Sequence, residues 1–348
     1  MAKADDIVDL IRLYYTGDGK RFEECVARIV ARLKGANNQQ SRNLLERIEN
    51  LLRDTKAQWA TMSPEDAFYT KDLLDGGLAW FEKSQTRLCE MVLSDELRHS
   101  LAAVVRERAA AEKLRSHGLE PARKILCFGP PGTGKTMSAA ALAGELDLPL
   151  YVVSSEKVVE RFLGNTAQNL GKIFNVIKRA EGVWFFDEFD SLARARTGGR
   201  GGDAEMSRVM GAMLQFIERD RSNSIIMAAT NMPKLLDKAL FRRFDLIINY
   251  ENPSYQQILS LITGAAASVG LENVLDIIPP EREQLSVLAR QMEGYNHATV
   301  VRACREAAKN LILDEKQLLW ETFLPELEKV IRSSGAANSF RNAVVGAA

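Results

Sequence analysis

The sequence predicts an α/β protein: a parallel five-stranded sheet with helices on both faces, a C-terminal helical lid, and a small all-helical unit ahead of the sheet. Three observations predict it. Between residues 124 and 250, short apolar runs alternate with longer helical ones, the pattern of parallel strands joined by crossover helices. From 254 to about 333 the periodicity is helical throughout. The first 54 residues carry three apolar stripes at helical spacing.

The N-terminal stripes are Ile7, Leu10, Ile11 and Tyr14, then Phe22, Cys25, Val26 and Ile29, then Leu44, Leu45, Ile48, Leu51 and Leu52. Gly17-Asp18-Gly19 and Gly35-Ala36-Asn37-Asn38 separate them. Three short helices bury little surface alone, so residues 1–54 are expected to dock on a partner or a neighbouring subunit. Residues 55–92 read as a partly helical linker. Ser94 then offers an N-cap with Asp95 and Glu96 in the first turn, opening a helix that runs to about His117. Strands are expected at 124–128, 150–154, 183–186, 224–229 and 246–250, and helices near 135–146, 166–180, 204–219 and 235–241. This gives a sheet domain over 93–252, a lid over 253–333, and a weakly patterned tail over 334–348 that reads as disordered.

Composition narrows the function. Apolar residues are 46% and charged residues 26%, as in an ordinary soluble globular protein. Lys+Arg and Asp+Glu balance at 46 each, which gives no support to whole-protein attraction to nucleic acid or an anionic membrane. No apolar run approaches the ~18 residues of a membrane span, and no apolar segment follows the N-terminus as in a secretory signal. Cys25, Cys89, Cys127 and Cys304 are scattered, so free thiols are expected, and the cytoplasm is the expected location.

Gly129-Pro130-Pro131-Gly132-Thr133-Gly134-Lys135-Thr136 satisfies the phosphate-binding pattern G-x-x-x-x-G-K-[ST]. It lies between an apolar strand and an Ala/Leu-rich helix, so its backbone N–H groups and the helix N-terminus converge on one anion site. Lys135 can reach the β- and γ-phosphates of ATP, and the Thr136 hydroxyl can ligate Mg²⁺. Val183-Trp184-Phe185-Phe186 ends in Asp187 and Glu188. Adjacent strand residues face opposite ways, so Asp187 can hold Mg²⁺ while Glu188 polarises the attacking water. A further strand ends at Asn231, placed to contact the γ-phosphate or that water. Arg242 and Arg243 follow; arginine's rigid fork suits phosphate, and the sharper reading is a finger acting on a neighbouring subunit's ATP.

These ordered motifs resemble those of the AAA+ ATPases, within the AAA clade proper, over about residues 90–330. Residues 129–136 correspond to Walker A, 185–190 to Walker B, 228–231 to sensor 1 and 236–245 to the second region of homology. The resemblance implies an α/β ATPase core with a helical lid, assembled into a homo-oligomeric ring, usually a hexamer, with ATP at subunit interfaces. Lys135, Thr136, Asp187, Glu188 and Asn231 would act within one subunit and Arg242 and Arg243 across to the next. Arg161-Phe162-Leu163 resembles the pore loop with which AAA unfoldases grip peptide, where an aromatic face holds many side chains without sequence preference; a helix-end core role is the alternative. The glycine-rich stretch 197–203 stands where a second pore loop is expected, or is a plain surface loop. Where the family commonly has Gly-Tyr-Ser-Gly-Ala-Asp in the lid, this chain has Gly294-Tyr295-Asn296-His297-Ala298-Thr299. His297 therefore either packs on the adenosine or caps the lid helix. No H-E-x-x-H is present, which excludes a fused zinc protease on motif grounds.

The expected function is an ATP-driven motor that remodels or unfolds protein substrates. The overall organisation also resembles bacterial stand-alone AAA ATPases, some encoded beside a subtilisin-like protease in phage-defence pairs, which makes a separate protease an expected partner. A nucleotide-switched assembly factor that threads nothing is the alternative. A nucleic-acid motor is disfavoured by the neutral charge and the Phe162 loop.

Overall fold

The computed structural model describes residues 64–158, 164–189, 202–232, 241–271 and 279–345. The expected helical unit over 1–54, most of the helix near 235–241 and the loops carrying Phe162 and Gly198 lie outside the described residues. The chain divides into two compact units, Met1–Leu78 and Ala79–Ala348. The described part of the first is helix α1, Pro64–Asp75, which closes as the N–H groups of Gly76 and Gly77 bond back to Asp72 and Leu74.

The second unit is built on a six-stranded sheet of order β1-β3-β4-β5-β2-β6. Its strands are β1 Ala79–Glu82, β2 Lys124–Phe128, β3 Leu150–Val153, β4 Val183–Phe186, β5 Ile225–Thr230 and β6 Leu246–Asn249. The last five are mutually parallel, as the alternation predicts. β1 is an addition: it runs antiparallel to β3, pairing Ala79 with Val153 and Glu82 with Leu150, in what the sequence suggests is a linker. Every residue of β2 but Phe128, and all of β3, β4 and β5, is buried. Burial on both faces explains why these strands read as unbroken apolar runs rather than alternating ones.

Helix α2, Asp95–Ala109, is capped by Ser94, whose hydroxyl accepts the Leu97 N–H, as expected. It ends at Ala110, and a separate short helix α3, Ala111–Ser116, follows where one continuous helix is expected. Helix α4, Lys135–Glu145, packs with α2 on one face of the sheet, over Ile125, Cys127, Val183, Phe185 and Met227. The short α5, Ser155–Val158, precedes α6, Gly164–Ile177, and α7 spans Gly202–Arg219. Phe174 of α6 stacks on Phe216 of α7 and on Phe186 of the sheet, covering the other face. There Trp184 also stacks on Tyr151, with ring centroids 4.2 Å apart.

Helices α8 Tyr255–Ser268, α9 Pro279–Gln291, α10 His297–Leu313 and α11 Trp320–Val345 form the lid. They enclose their own apolar cluster, centred on Ile258, Ile262, Leu288, Val300, Phe323 and Leu327. α11 continues past Ser333 to Val345, into the weakly patterned stretch. The added turns hold alanines and no proline, and Gly335 costs a helix interior only ~1 kcal/mol. No helix among the described residues is long and apolar enough to cross a membrane.

Candidate active site

Sheet order decides which motifs meet. β4, β5 and β2 are adjacent, so their carboxyl ends bring three distant segments together, where ligands bind in open α/β sheets. The loop over 129–134 follows β2, Asp187 and Glu188 follow β4, and Asn231 follows β5. The first N–H of the loop, from Gly129, donates to the Thr230 carbonyl, tying loop to strand at 3.2 Å.

The loop needs its glycines. A Cβ on Gly129 would lie 2.1 Å from the Tyr250 carbonyl oxygen. Gly132, at φ +74°, lies against the Asn296 side chain, where a Cβ would come within 2.9 Å. Inside the turn, Thr133 donates its hydroxyl to the Pro130 carbonyl at 2.8 Å and is buried, whereas Pro130, Pro131 and Gly132 form the exposed rim. Gly134, at φ +99°, is the N-cap of α4. This is the concave anion cradle of the sequence reading, with a helix N-terminus beneath it.

The side chains of these segments converge. The Lys135 amine donates to the Gly129 and Pro130 carbonyls and to Asn231 Oδ1, each at 2.8 Å. Thr136 Oγ1 lies 3.2 Å from Asp187 Oδ2. Two oxygens at that spacing beside a phosphate cradle form the donor set a hard, oxygen-seeking cation such as Mg²⁺ uses. Ser155, which the sequence reading missed, donates to the Asp187 carbonyl at 2.6 Å and fixes the strand end. Glu188 is exposed and holds φ +47°, an uncommon conformation outside glycine, with its N–H bonded to Asp187 Oδ1 at 2.8 Å. Backbone strain of this kind clusters where a side chain must be aimed.

Two comparisons bear on this site. Residues 125–252 match the family described as "ATPase family associated with various cellular activities (AAA)". Over 232 residues, 67% of each chain, the protein is 35% identical to an uncharacterized AAA family ATPase, y4kL, of Sinorhizobium fredii. The chain belongs to the AAA family of ATPases. It is also 32% identical over 72% of its length to an ATP-dependent zinc metalloprotease FtsH of Synechococcus, and 31% identical over 68% to a proteasome-activating nucleotidase of Thermococcus onnurineus. The matches span 38% and 58% of those two proteins, so this chain covers only part of each.

As an AAA ATPase the chain hydrolyses ATP with Mg²⁺, and the site explains how its residues serve that reaction. The loop amides and Lys135 would bind and orient the phosphates. Thr136 and Asp187 would hold Mg²⁺, which neutralises charge building on the phosphate oxygens. Glu188 is placed to take up a proton from water, and Asn231, bonded to Lys135, spans the gap between β5 and the loop.

The lid touches the loop directly. Ala298 donates its N–H to the Gly132 carbonyl at 3.0 Å. Asn296 caps α10 by accepting the Thr299 N–H at 2.8 Å, so capping falls to Asn296 and not to His297. His297 is instead the first residue of α10. Its Nδ1 is buried without a hydrogen-bond partner, and burial, partly offset by the Val92 backbone, holds its pKa below the usual imidazole value. It lines, with Thr133, Tyr250, Asn252 and Ser94, a cavity of about 630 Å³.

Behind the loop, the Tyr250 hydroxyl lies 3.9 Å from Cys127 Sγ. Burial pushes the Cys127 thiol up to about 12 and raises Tyr250 well above its ordinary value, so both stay neutral. Among the described cysteines all are free thiols. The arginine pair lies on the turn before β6. Arg243 is ion-paired with Glu218 on α7, and Arg242 is exposed with no partner among the described residues. Arg161, Phe162 and Leu163 lie outside the described residues.

Proposed function

We propose that the protein is an ATP-driven ring motor, a hexamer, that remodels or unfolds protein substrates through a central pore. The observation that carries this reading is the convergence of Lys135, Thr136, Asp187, Glu188 and Asn231 at one sheet edge, in a chain similar to an FtsH metalloprotease and a proteasome-activating nucleotidase. One name is that of an ATP-dependent protease and the other that of a nucleotidase that activates a proteasome. A separate protease, as in bacterial phage-defence pairs, is the proposed partner. In the ring, Arg242 and Arg243 act on the neighbouring subunit's ATP, Phe162 with Arg161 and Leu163 grips the polypeptide, and the segment over 1–54 recruits substrate or partner. A location in the cytoplasm fits this role.

The testing experiment is ATPase rate against protein concentration for the wild type and Glu188→Gln. Specific activity is expected to rise with concentration. Glu188→Gln is expected to lose roughly 10²-fold or more in rate, the range for a positioned general base, while still assembling with ATP and retaining captured substrate. Flat activity across concentration would end the trans-arginine reading. Co-purification of a protease with the trapped ring, and its absence without ATP, checks the partner.

One alternative is a nucleotide-switched assembly factor that threads nothing. Phe162→Ala separates the two. Threading predicts that substrate processing is lost while ATPase activity persists; a switch predicts that both survive.

A further inference from the structure

The arginine turn and the hydrolytic carboxylate of the same chain are joined by one aromatic contact. Phe189, the residue after Glu188, is fully buried. Phe244, the residue after Arg243, is buried too, and the two rings meet edge to face, 6.4 Å apart at 84°. Such a pair has a preferred geometry, so displacing one ring displaces the other.

The turn is held at two further points. Asp245 accepts the backbone N–H groups of Arg123 and Lys124 at 3.0 and 2.9 Å and donates its own N–H to the Lys124 carbonyl at 2.9 Å, pinning one end to the start of β2. Glu218 holds Arg243 from the last turn of α7. With side chains 40% and 50% exposed, that ion pair adds little to stability. Its effect is to direct one guanidinium along the chain's own surface while Arg242 stays free to reach outward.

We propose that Phe244 is a positioning residue: through its contact with Phe189 it sets the arginine turn presented to the next subunit according to the state of the chain's own Glu188. Each site is thereby coupled to its neighbour's through a path inside a single subunit. Arg242 is the reaching finger and Arg243, held by Glu218, its brace. This rests on the ring proposed above.

The test uses two full-length inactive proteins. The donor carries Lys135→Ala, which disables its own site but leaves its arginines. The acceptor carries Arg242→Ala and Arg243→Ala, which leaves its site but removes its arginines. Mixed, they are expected to recover ATPase activity; if the mixture stays inactive, the ring reading fails before the coupling is reached.

Phe244→Ala is then placed in either partner. In the donor it is expected to lower kcat of the mixture by about tenfold or more, since a misplacement near 1 Å costs on the order of 10²-fold, with KM for ATP little changed. In the acceptor, which presents no arginines, the loss should be far smaller. Phe189→Ala in the donor is expected to act like Phe244→Ala, although the donor's own site is disabled. Equal losses in both partners, or none in the donor, would overturn the proposal. Phe244→Leu and Phe189→Leu keep the core filled and are read in the same mixtures. If the alanine variants fail to fold or assemble, a loss confined to the donor with the leucine variants supports the coupling, and its absence refutes it.

Discussion

Gly129 and Gly132 share a loop and a motif, yet the structure gives them different tolerance. At Gly129 the intruding Cβ meets backbone, the Tyr250 carbonyl, which is itself locked because the Tyr250 N–H bonds to the Phe128 carbonyl at 2.7 Å. At Gly132 it meets the end of the Asn296 side chain, which can rotate away. Gly129→Ala is therefore expected to separate β2 from β6 at the loop, cost about 1–3 kcal/mol or more in stability, and abolish measurable ATP binding. Gly132→Ala is expected to fold and to bind ATP more weakly through a disturbed lid contact. Thermal melts and calorimetric titration with ATP check both; equal effects at the two positions would contradict the distinction. The same loop shows what sequence reading captures. Lys135, Thr136, Asp187 and Asn231 were legible because phosphate chemistry fixes residue type and spacing. Ser155 and Tyr250 were not, since each enters the site through a contact between segments far apart in the chain and neither carries a motif; Asn296 stands in the lid stretch, but its contact with Gly132 was not legible there.

Among the elements, α7 is anchored at its C-terminal end by a buried pair. Asp220, fully buried, accepts from the Arg123 guanidinium and from the Ser222 hydroxyl at 3.0 Å, while its carbonyl takes a second Arg123 N–H at 2.5 Å. Asp220→Ala would leave a guanidinium buried without a counter-charge. The expected loss is about 3–5 kcal/mol in urea unfolding, and replacing both residues with apolar ones should recover much of it. A loss below ~1 kcal/mol for the single variant would show that Arg123 finds other partners or reaches water. Element boundaries repeat the lesson of the loop. The buried parallel strands β2 and β4 were readable to the residue as continuous apolar runs. β1 was not, because Ala79-Trp80-Phe81-Glu82 shows no apolar–polar alternation in sequence, and only pairing with β3 makes it a strand with Trp80 and Glu82 on the exposed face. The break after Ala109 was equally silent, since Ala109-Ala110-Ala111 contains no residue that disfavours a helix.

At the scale of the whole second unit, the question is what holds the lid on the sheet domain. Two contacts centre on the first turn of α10: the Ala298 N–H on the Gly132 carbonyl, and His297 against Val92. The second is proton-sensitive. Burial, partly offset by the Val92 backbone, lowers the His297 pKa from its ordinary 6.5, and the buried Nδ1 has no acceptor for the proton it would gain. Well above pH 6.5 the imidazole is neutral in folded and unfolded chains alike, and His297 adds no pH dependence. As the pH falls through 6.5 the unfolded chain takes up the proton first, so the folded state loses stability until the pH passes below the folded-state pKa. Asp95, Glu96 and Glu251 line the same cavity as His297. His297→Gln, which cannot titrate, should therefore show a flatter melting-temperature profile than the wild type between about pH 7.5 and 5.5. Weaker lid docking at low pH should also raise KM for ATP in the wild type more than in the variant. Parallel melting curves for the two proteins would mean that His297 reaches water in the folded chain, and that lid docking rests on the Ala298–Gly132 contact and the apolar packing of Val92.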